Sequence, residues 1–165
     1  MKTNLLMNFS VDKESNKINV QREFAAAPDK VWTAWTDPKW LDQWWAPKPW
    51  QTVTVSMDFS EGGMWLYYMQ GPEGERHYCR DDYKTIDPGK SFSAQDAFCD
   101  ADGNINEEWP RMTWHNTFEG RGNSTMVHIV ITFDKPEDLE KIIEMGFKEG
   151  FTMAMENLDG IFGGE

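Results

Sequence analysis

The sequence predicts an α+β fold: a curved antiparallel sheet of six to seven strands, two short helices, and one long helix at the C-terminus. Seven stretches read as strands, several with clear two-residue alternation of apolar and polar residues, and turn residues rich in Gly and Pro separate most of them. Two short stretches early in the chain and one near its end instead carry the i, i+3, i+4 apolar spacing of amphipathic helices.

The first predicted strand is KINVQREF, with Ile18, Val20 and Phe24 on one face and Asn19, Gln21 and Glu23 on the other. The period then changes. In AAPDKVWTAWT, Pro28 suits a first helical turn, and Val31, Ala34 and Trp35 share a face. Asp37 caps a second short helix that has Pro38 in its first turn and Leu41, Trp44 and Trp45 as an inward stripe, until Pro47 and Pro49 stop it. The stretches QTVTVSMDF, MWLYYMQ, RHYCRDDYKTI, SFSAQDAFC, RMTWHNTFE and TMVHIVITF follow as strands, and short connections favour an antiparallel meander. Pro136 opens a short helical stretch, PEDLEKIIEMG. Beyond it Phe147, Phe151, Ala154, Met155, Leu158 and Phe162 mark the inner face of the closing helix. Gly150, inside that helix, predicts a close approach to the sheet, or else a kink.

Composition narrows the partners. Sixteen Lys and Arg against 28 Asp and Glu give a net charge of −12, which repels nucleic acid and anionic membranes. Half of this charge falls between Asp134 and Glu165, where nine acids meet three bases. No apolar run reaches the roughly 20 residues of a membrane helix, and the N-terminus lacks a cleavable leader pattern. A single cytoplasmic domain over residues 1–165, with its core at about 17–162, is the expectation. Cys79 and Cys99 fit free thiols better than a disulfide framework.

A helix of about 16 residues is roughly 24 Å long, enough to lie across a curved sheet while the short helices close one end. This is a helix-grip arrangement. Such a sheet and one helix leave room for an internal cavity, and ligand cavities measure about 300–1,000 Å³.

AAPDKVWTAWTDPKWLDQWWAP, DFSEGGMWLYYM, TIDPGKSF and MGFKEGFTMAMENLDGIF together resemble the START-like or SRPBCC superfamily, in its branch named for the C-terminal domain of the activator of heat-shock protein 90 ATPase. The resemblance spans about Ile18 to Phe162 and implies a helix-grip (Bet v 1-like, START-like) fold around a hydrophobic cavity that in some members holds lipids or polyketides. It also implies a heat-shock protein 90-type chaperone as an alternative partner. The eukaryotic co-chaperone carries a further N-terminal domain for which 165 residues leave no room. Cyclase- or hydrolase-like chemistry in the same cavity is a third reading.

The expected ligand-binding residues are Trp45, Trp65, Tyr67, Met69, His77, Trp114, Phe118, Phe151 and Met155: large apolar or thioether surfaces, with Tyr67 or His77 as a polar handle. The same residue types also build a filled core. Trp44 and Trp45 are expected to seal the core or the pocket mouth, with Trp40 toward the rim and Trp50 opening the next strand. Asp81, Asp82 and Asp96 are candidates for acid or base work with His77 or His115, against the simpler reading of solvated surface carboxylates. His77, Cys79, His115 and His128 do not make a convergent set of three or four metal ligands. No nucleophile elbow, phosphate loop or dinucleotide fingerprint is present, so no cofactor and no fixed catalytic residue are expected.

Overall fold

The computed structural model describes residues 5–163, so the sequence readings on residues 1–4 and 164–165 lie outside it. Eight strands form one antiparallel sheet, correcting the expected six to seven: β1 (Met7–Asp12), β2 (Lys17–Phe24), β3 (Gln51–Met57), β4 (Met64–Gln70), β5 (Arg76–Asp87), β6 (Ser91–Cys99), β7 (Thr113–Arg121) and β8 (Ser124–Thr132). The added strand is β1. It is an edge strand paired only with β2, and from Asn8 onward only Phe9 is even partly buried, so packing writes a faint pattern into its sequence. Asn16, at φ 55° in the reversal after it, takes a left-handed conformation that suits Asn better than most residues.

The sheet order is β1-β2-β8-β7-β6-β5-β4-β3. Strands β3 to β8 form the expected meander, but β2 pairs with β8 rather than with its chain neighbour β3. The crossing from β2 to β3 is made by α1 (Pro28–Thr36) and α2 (Pro38–Trp44). Both helices start on proline, and Asp37 caps α2 as expected, its carboxylate accepting from Lys39 N at 2.9 Å. This crossing puts the helix pair against the sheet's inner face. There Trp44 Nε1 donates to Ala34 O at 2.9 Å, and Thr54 Oγ1 on β3 donates to Asp42 of α2 at 2.7 Å while accepting from Trp65 Nε1 at 3.0 Å.

Helices α3 (Pro136–Glu144) and α4 (Phe147–Gly163) complete the chain. The predicted inner face of α4 is buried: Phe151, Ala154, Met155, Leu158 and Phe162 join one core with Ile18, Val20 and Phe24 of β2 and Val127, Ile129 and Ile131 of β8. One ion pair crosses this interface, between Arg22 on β2 and Asp159 on α4, with Arg22 only 5% exposed. Arg22 also donates to Glu23 O at 2.7 Å. The pair ties α4 to β2, and removing either partner would leave the other's charge without compensation. Gly150 does not approach the sheet: a Cβ built there meets only Pro47 Cγ, at an ordinary 3.7 Å. The sheet-facing residues of α4 are the large apolar ones, and Gly150 turns toward the loop after α2.

Candidate functional site

The middle of the inner face is an aromatic chamber, built in rows by the strand register. Trp65 on β4 lies opposite Asp81 on β5, and Asp81 opposite Asp96 on β6. The next row runs Tyr83, Ala94, Trp114, and the row after it pairs Phe92 with Asn116. The period of two sends all of these side chains the same way. The turn between β3 and β4 fixes Tyr83 through two backbone bonds, Gly62 N to Tyr83 O at 3.0 Å and Tyr83 N to Gly63 O at 2.9 Å. Gly63 is required there, because any Cβ would fall 2.1 Å from Asp58 O.

The helices supply the roof. Trp35 and Leu41 come from α1 and α2, and Trp45 follows directly after α2. Trp45 is half-buried and central: its ring lies 5.9 Å from Trp35, 5.9 Å from Trp65, 5.7 Å from Trp114 and 6.1 Å from Phe151, and its Nε1 donates to Tyr67 OH at 3.1 Å. The space left between these side chains is about 20 Å³. That is room for one water molecule, far below the roughly 300 Å³ at which drug-sized ligand cavities begin.

The chamber is not purely apolar. Asn116, 2% exposed, has a side-chain oxygen with no hydrogen-bond partner in the protein, and the Nε1 of Trp35, 3% exposed, is likewise unpartnered. Asp96 is better satisfied, accepting from Met112 N at 2.8 Å and Trp114 Nε1 at 3.0 Å. Burial pushes the Asp96 carboxyl up to about 6, even though these donors and the Arg111 charge hold it down. Burial raises Asp81 well above the usual carboxylate range, and the neighbouring Asp96 and Asp82 charges add to the rise. No hydrogen bond offsets it among the described residues. Two cross-strand carboxylates this close resist simultaneous ionisation, so the pair holds a proton above the usual carboxylate range, with the stronger rise at Asp81. Burial also raises the Cys79 thiol and the phenols of Tyr67 and Tyr83, leaving all three neutral.

Of the residues expected to bind ligand, Trp45, Trp65 and Trp114 line the chamber. Tyr67 stands behind it, stacked on Trp65 at 4.0 Å and bonded to Trp45. Phe151 presses on Trp114 at 5.4 Å, Phe118 on Trp35 at 5.9 Å, and Met155 is fully buried in the same core. Met69 is half-buried at the end of β4. His77 is exposed and meets Trp50 edge-on at 5.3 Å, outside the chamber. Trp44 is buried and Trp40 half-buried against Phe162 at 5.9 Å, and Trp50 stands one residue before β3 rather than opening it.

The candidate acids separate. Asp82 points outward between Arg80, at 2.5 Å, and Arg111, at 2.7 Å; burial works to raise its carboxyl, but these two partners outweigh it and hold it low. His115 is exposed, and His128 bonds Glu119 at 2.9 Å, so neither joins Asp81 and Asp96. Among the described residues no group of three or more His, Cys, Asp or Glu side chains is placed to hold a metal, and no helix is long and apolar enough to cross a membrane. Sequence reasoning missed Trp35, Tyr83, Phe92, Ala94 and Asn116 as chamber residues. The signal for Asn116 was available: it lies midway between Trp114 and Phe118 on a period-two strand and so faces inward with them.

A family model described as "Activator of Hsp90 ATPase homolog 1-like protein" matches residues 25–163. No curated protein matches the chain. Among solved structures, a protein from Arthrobacter aurescens superposes with a TM-score of 0.90 at 30% identity, covering 96% of this chain and 92% of that one. A protein from Mycobacterium smegmatis gives 0.86 at 29% identity, covering 95% and 96%. A Silicibacter pomeroyi protein of the same family name gives 0.69 at 20% identity over 88% and 96%, a likeness of fold alone.

Proposed function

Because the chain belongs to the family of Activator of Hsp90 ATPase homolog 1-like proteins, we propose that it is a helix-grip domain that binds a hydrophobic or aromatic small molecule, lipid- or polyketide-like, in the chamber now plugged by Trp45. The observation that carries this reading is the set of polar groups in the aromatic box. A core that serves only packing keeps its buried polar atoms paired, yet Asn116 Oδ1 on the sheet and Trp35 Nε1 in the roof have no protein partner, and Asp81 also lines the chamber. Each is a binding determinant in search of a partner. The plug is the movable part, because Trp45 is half-buried, follows the last turn of a seven-residue helix and is held by one side-chain hydrogen bond. Its withdrawal turns room for one water into room for a ring. A screen of lipids, flavonoid-like compounds and polyketides by thermal shift, with mass spectrometry of the purified protein for a retained small molecule, tests the reading. No retained mass and no stabilising compound would remove it.

A second reading is favoured by the nearly filled chamber itself: a protein-interaction domain with a heat-shock protein 90-type chaperone as partner. The C-terminal segment supplies a surface for it, with Met145 50% and Met153 42% exposed on a strongly acidic segment. Titration into purified chaperone decides between the two. A complex at low salt with altered ATPase rate supports the interaction domain, and an unchanged rate with no complex excludes it.

A further inference from the structure

The long helix α4 uses three of its sides within the fold. Its large apolar residues enter the core, Gly150 and Asn157 turn to the loop after α2, and Lys148 and Asp159 turn the other way, onto Phe9 of β1 and Arg22 of β2. The fourth side is bare. Between those flanks Glu149, Met153, Glu156 and Gly160 stand exposed at spacings of four, three and four, which sets them in one line along the helix. Met145, exposed at the C-cap of α3, comes just before that line in the chain. We propose that this face docks a basic amphipathic helix of another protein, its apolar stripe over Met145 and Met153 and its Lys or Arg side chains paired with Glu149 and Glu156. The proposal deepens the interaction reading above and rests on it for the use of the C-terminal segment, but not for the identity of the partner.

Three features set the chemistry of the occupant. Met145 and Met153 are 50% and 42% exposed, and thioether side chains offer apolar surface that adapts to what lies on it. The charge beside them is one-sided. Lys141 lies over the Trp109 ring at 4.3 Å and Lys148 over the Phe9 ring at 5.5 Å, so two cations of this segment are drawn away. Among the described residues no ion pair engages Glu144, Glu149 or Glu156. The third feature is Gly160. A glycine inside a helix weakens it relative to alanine, and a Cβ built at Gly160 meets nothing within 4 Å. The fold supplies no reason for its small size. A second helix crossing there does, because the side chains at a crossing set how closely two helices approach.

The same features exclude other occupants. A second copy of this chain, crossing α4 on a two-fold axis, would set the acidic line against its own acids. Nucleic acid and anionic membranes meet the same repulsion. An extended strand would find no free backbone groups to pair with, since those of a helix interior are used within it. A basic helix is attracted by the carboxylates and oriented by the methionines and the gap at Gly160. Its affinity therefore falls with salt without vanishing, because the charge pairs are screened and the apolar contact is not.

Two synthetic peptides of about 18 residues, or five helical turns, test this. Both hold leucine, lysine and glutamine in identical amounts; one repeats leucine at i, i+3 and i+4, and the other scatters it around the helix. Each is titrated into the full chain with carbon-13 methionine methyls, and into Met153→Glu and Gly160→Gln. Both substitutions place good helix formers at exposed positions, so the fold is retained. Met153→Glu is the sharper of the two, because it removes apolar contact while adding a negative charge. The expected result is saturable, one-to-one shifts of the Met145 and Met153 methyls with the buried Met155 still, and affinity for the patterned peptide at least tenfold above the scattered one. Each variant should weaken that binding at least fivefold, with Gly160→Gln also raising the unfolding temperature. Equal affinity for the two peptides, tighter binding by Met153→Glu, shifts that bypass Met145 and Met153, or no binding of either peptide overturns the proposal. If the proposal fails in this way while the chaperone still forms a complex, the interaction reading stands and only this face is refuted. A silent chaperone with the patterned peptide seated on Met153 supports the proposal and removes the chaperone.

Discussion

Replacing Asp81 by Asn should stabilise the protein, by an amount that grows as the pH is raised. In the folded chain Asp81 keeps its proton to a pH well above the usual carboxylate value of 3.8, because it is buried and faces Asp96. In the unfolded chain it loses that proton near the ordinary value. Between those two points the folded state binds one more proton than the unfolded state, so wild-type stability declines as pH rises. Each pH unit in that window is worth about 1.4 kcal/mol. Asp96 behaves in the same sense between 3.8 and about 6, a span of two units or about 3 kcal/mol. It is present in both proteins, beside either a protonated acid or its amide isostere, so the difference between them isolates Asp81. Urea denaturation of both proteins at several values from about pH 5 to about pH 8, above the sequence pI of 4.6, measures it. The advantage of Asp81→Asn should climb with a slope near 1.4 kcal/mol per unit and flatten where the folded wild type finally releases its proton. A difference that does not change with pH would refute the claim that Asp81 is held protonated in the chamber.

Three further perturbations follow from the packing. Gly150→Ala should gain about 0.5–1 kcal/mol in urea denaturation, since the added methyl meets Pro47 Cγ at 3.7 Å without a clash; a loss would mean that the loop after α2 cannot accept it. Arg22→Ala should cost about 3–5 kcal/mol by stranding Asp159 under α4, and urea denaturation of Arg22→Ala beside Asp159→Asn, which keeps an acceptor for the guanidinium and should cost less, separates lost charge from lost shape. Trp45→Ala should cost about 3 kcal/mol, the lower end of the range for large aromatic deletions because the ring is half-buried, and added indole should restore part of the midpoint by filling the hole.

The architecture was legible in the chain wherever one face of an element is buried and the other is wet. KINVQREF, the Asp37-Pro38 start of α2 and the stripe from Phe151 to Phe162 each carry a period that packing enforces, and each forms as read. β1 escaped because an edge strand with little burial imposes almost no alternation. The pairing of β2 with β8 escaped for a different reason: it joins residues over a hundred positions apart, such as Val20 and Ile129, and nothing local encodes it. The site was half legible. Aromatic residues announced an apolar interior, but whether they surround a space or fill it depends on how Trp45 settles among Trp35, Trp65, Trp114 and Phe151, a matter of tertiary packing. Asp81 and Asp82 are adjacent in sequence and opposite in fate, one facing the chamber and one held between Arg80 and Arg111. A single residue of strand phase separates those outcomes.

The central claim is that the chamber is a binding site that Trp45 keeps closed. The indole region of a nitrogen-15 NMR spectrum, in which each of the nine tryptophans contributes one signal, tests that directly during titration with the compound that most raises the unfolding temperature. Saturable, one-to-one shifts of the Trp35, Trp45 and Trp114 signals are expected, with Trp45 moving most and the Trp109 signal, outside the chamber, staying still. Saturation that leaves those three signals in place, or that moves Trp109 in their stead, would contradict it.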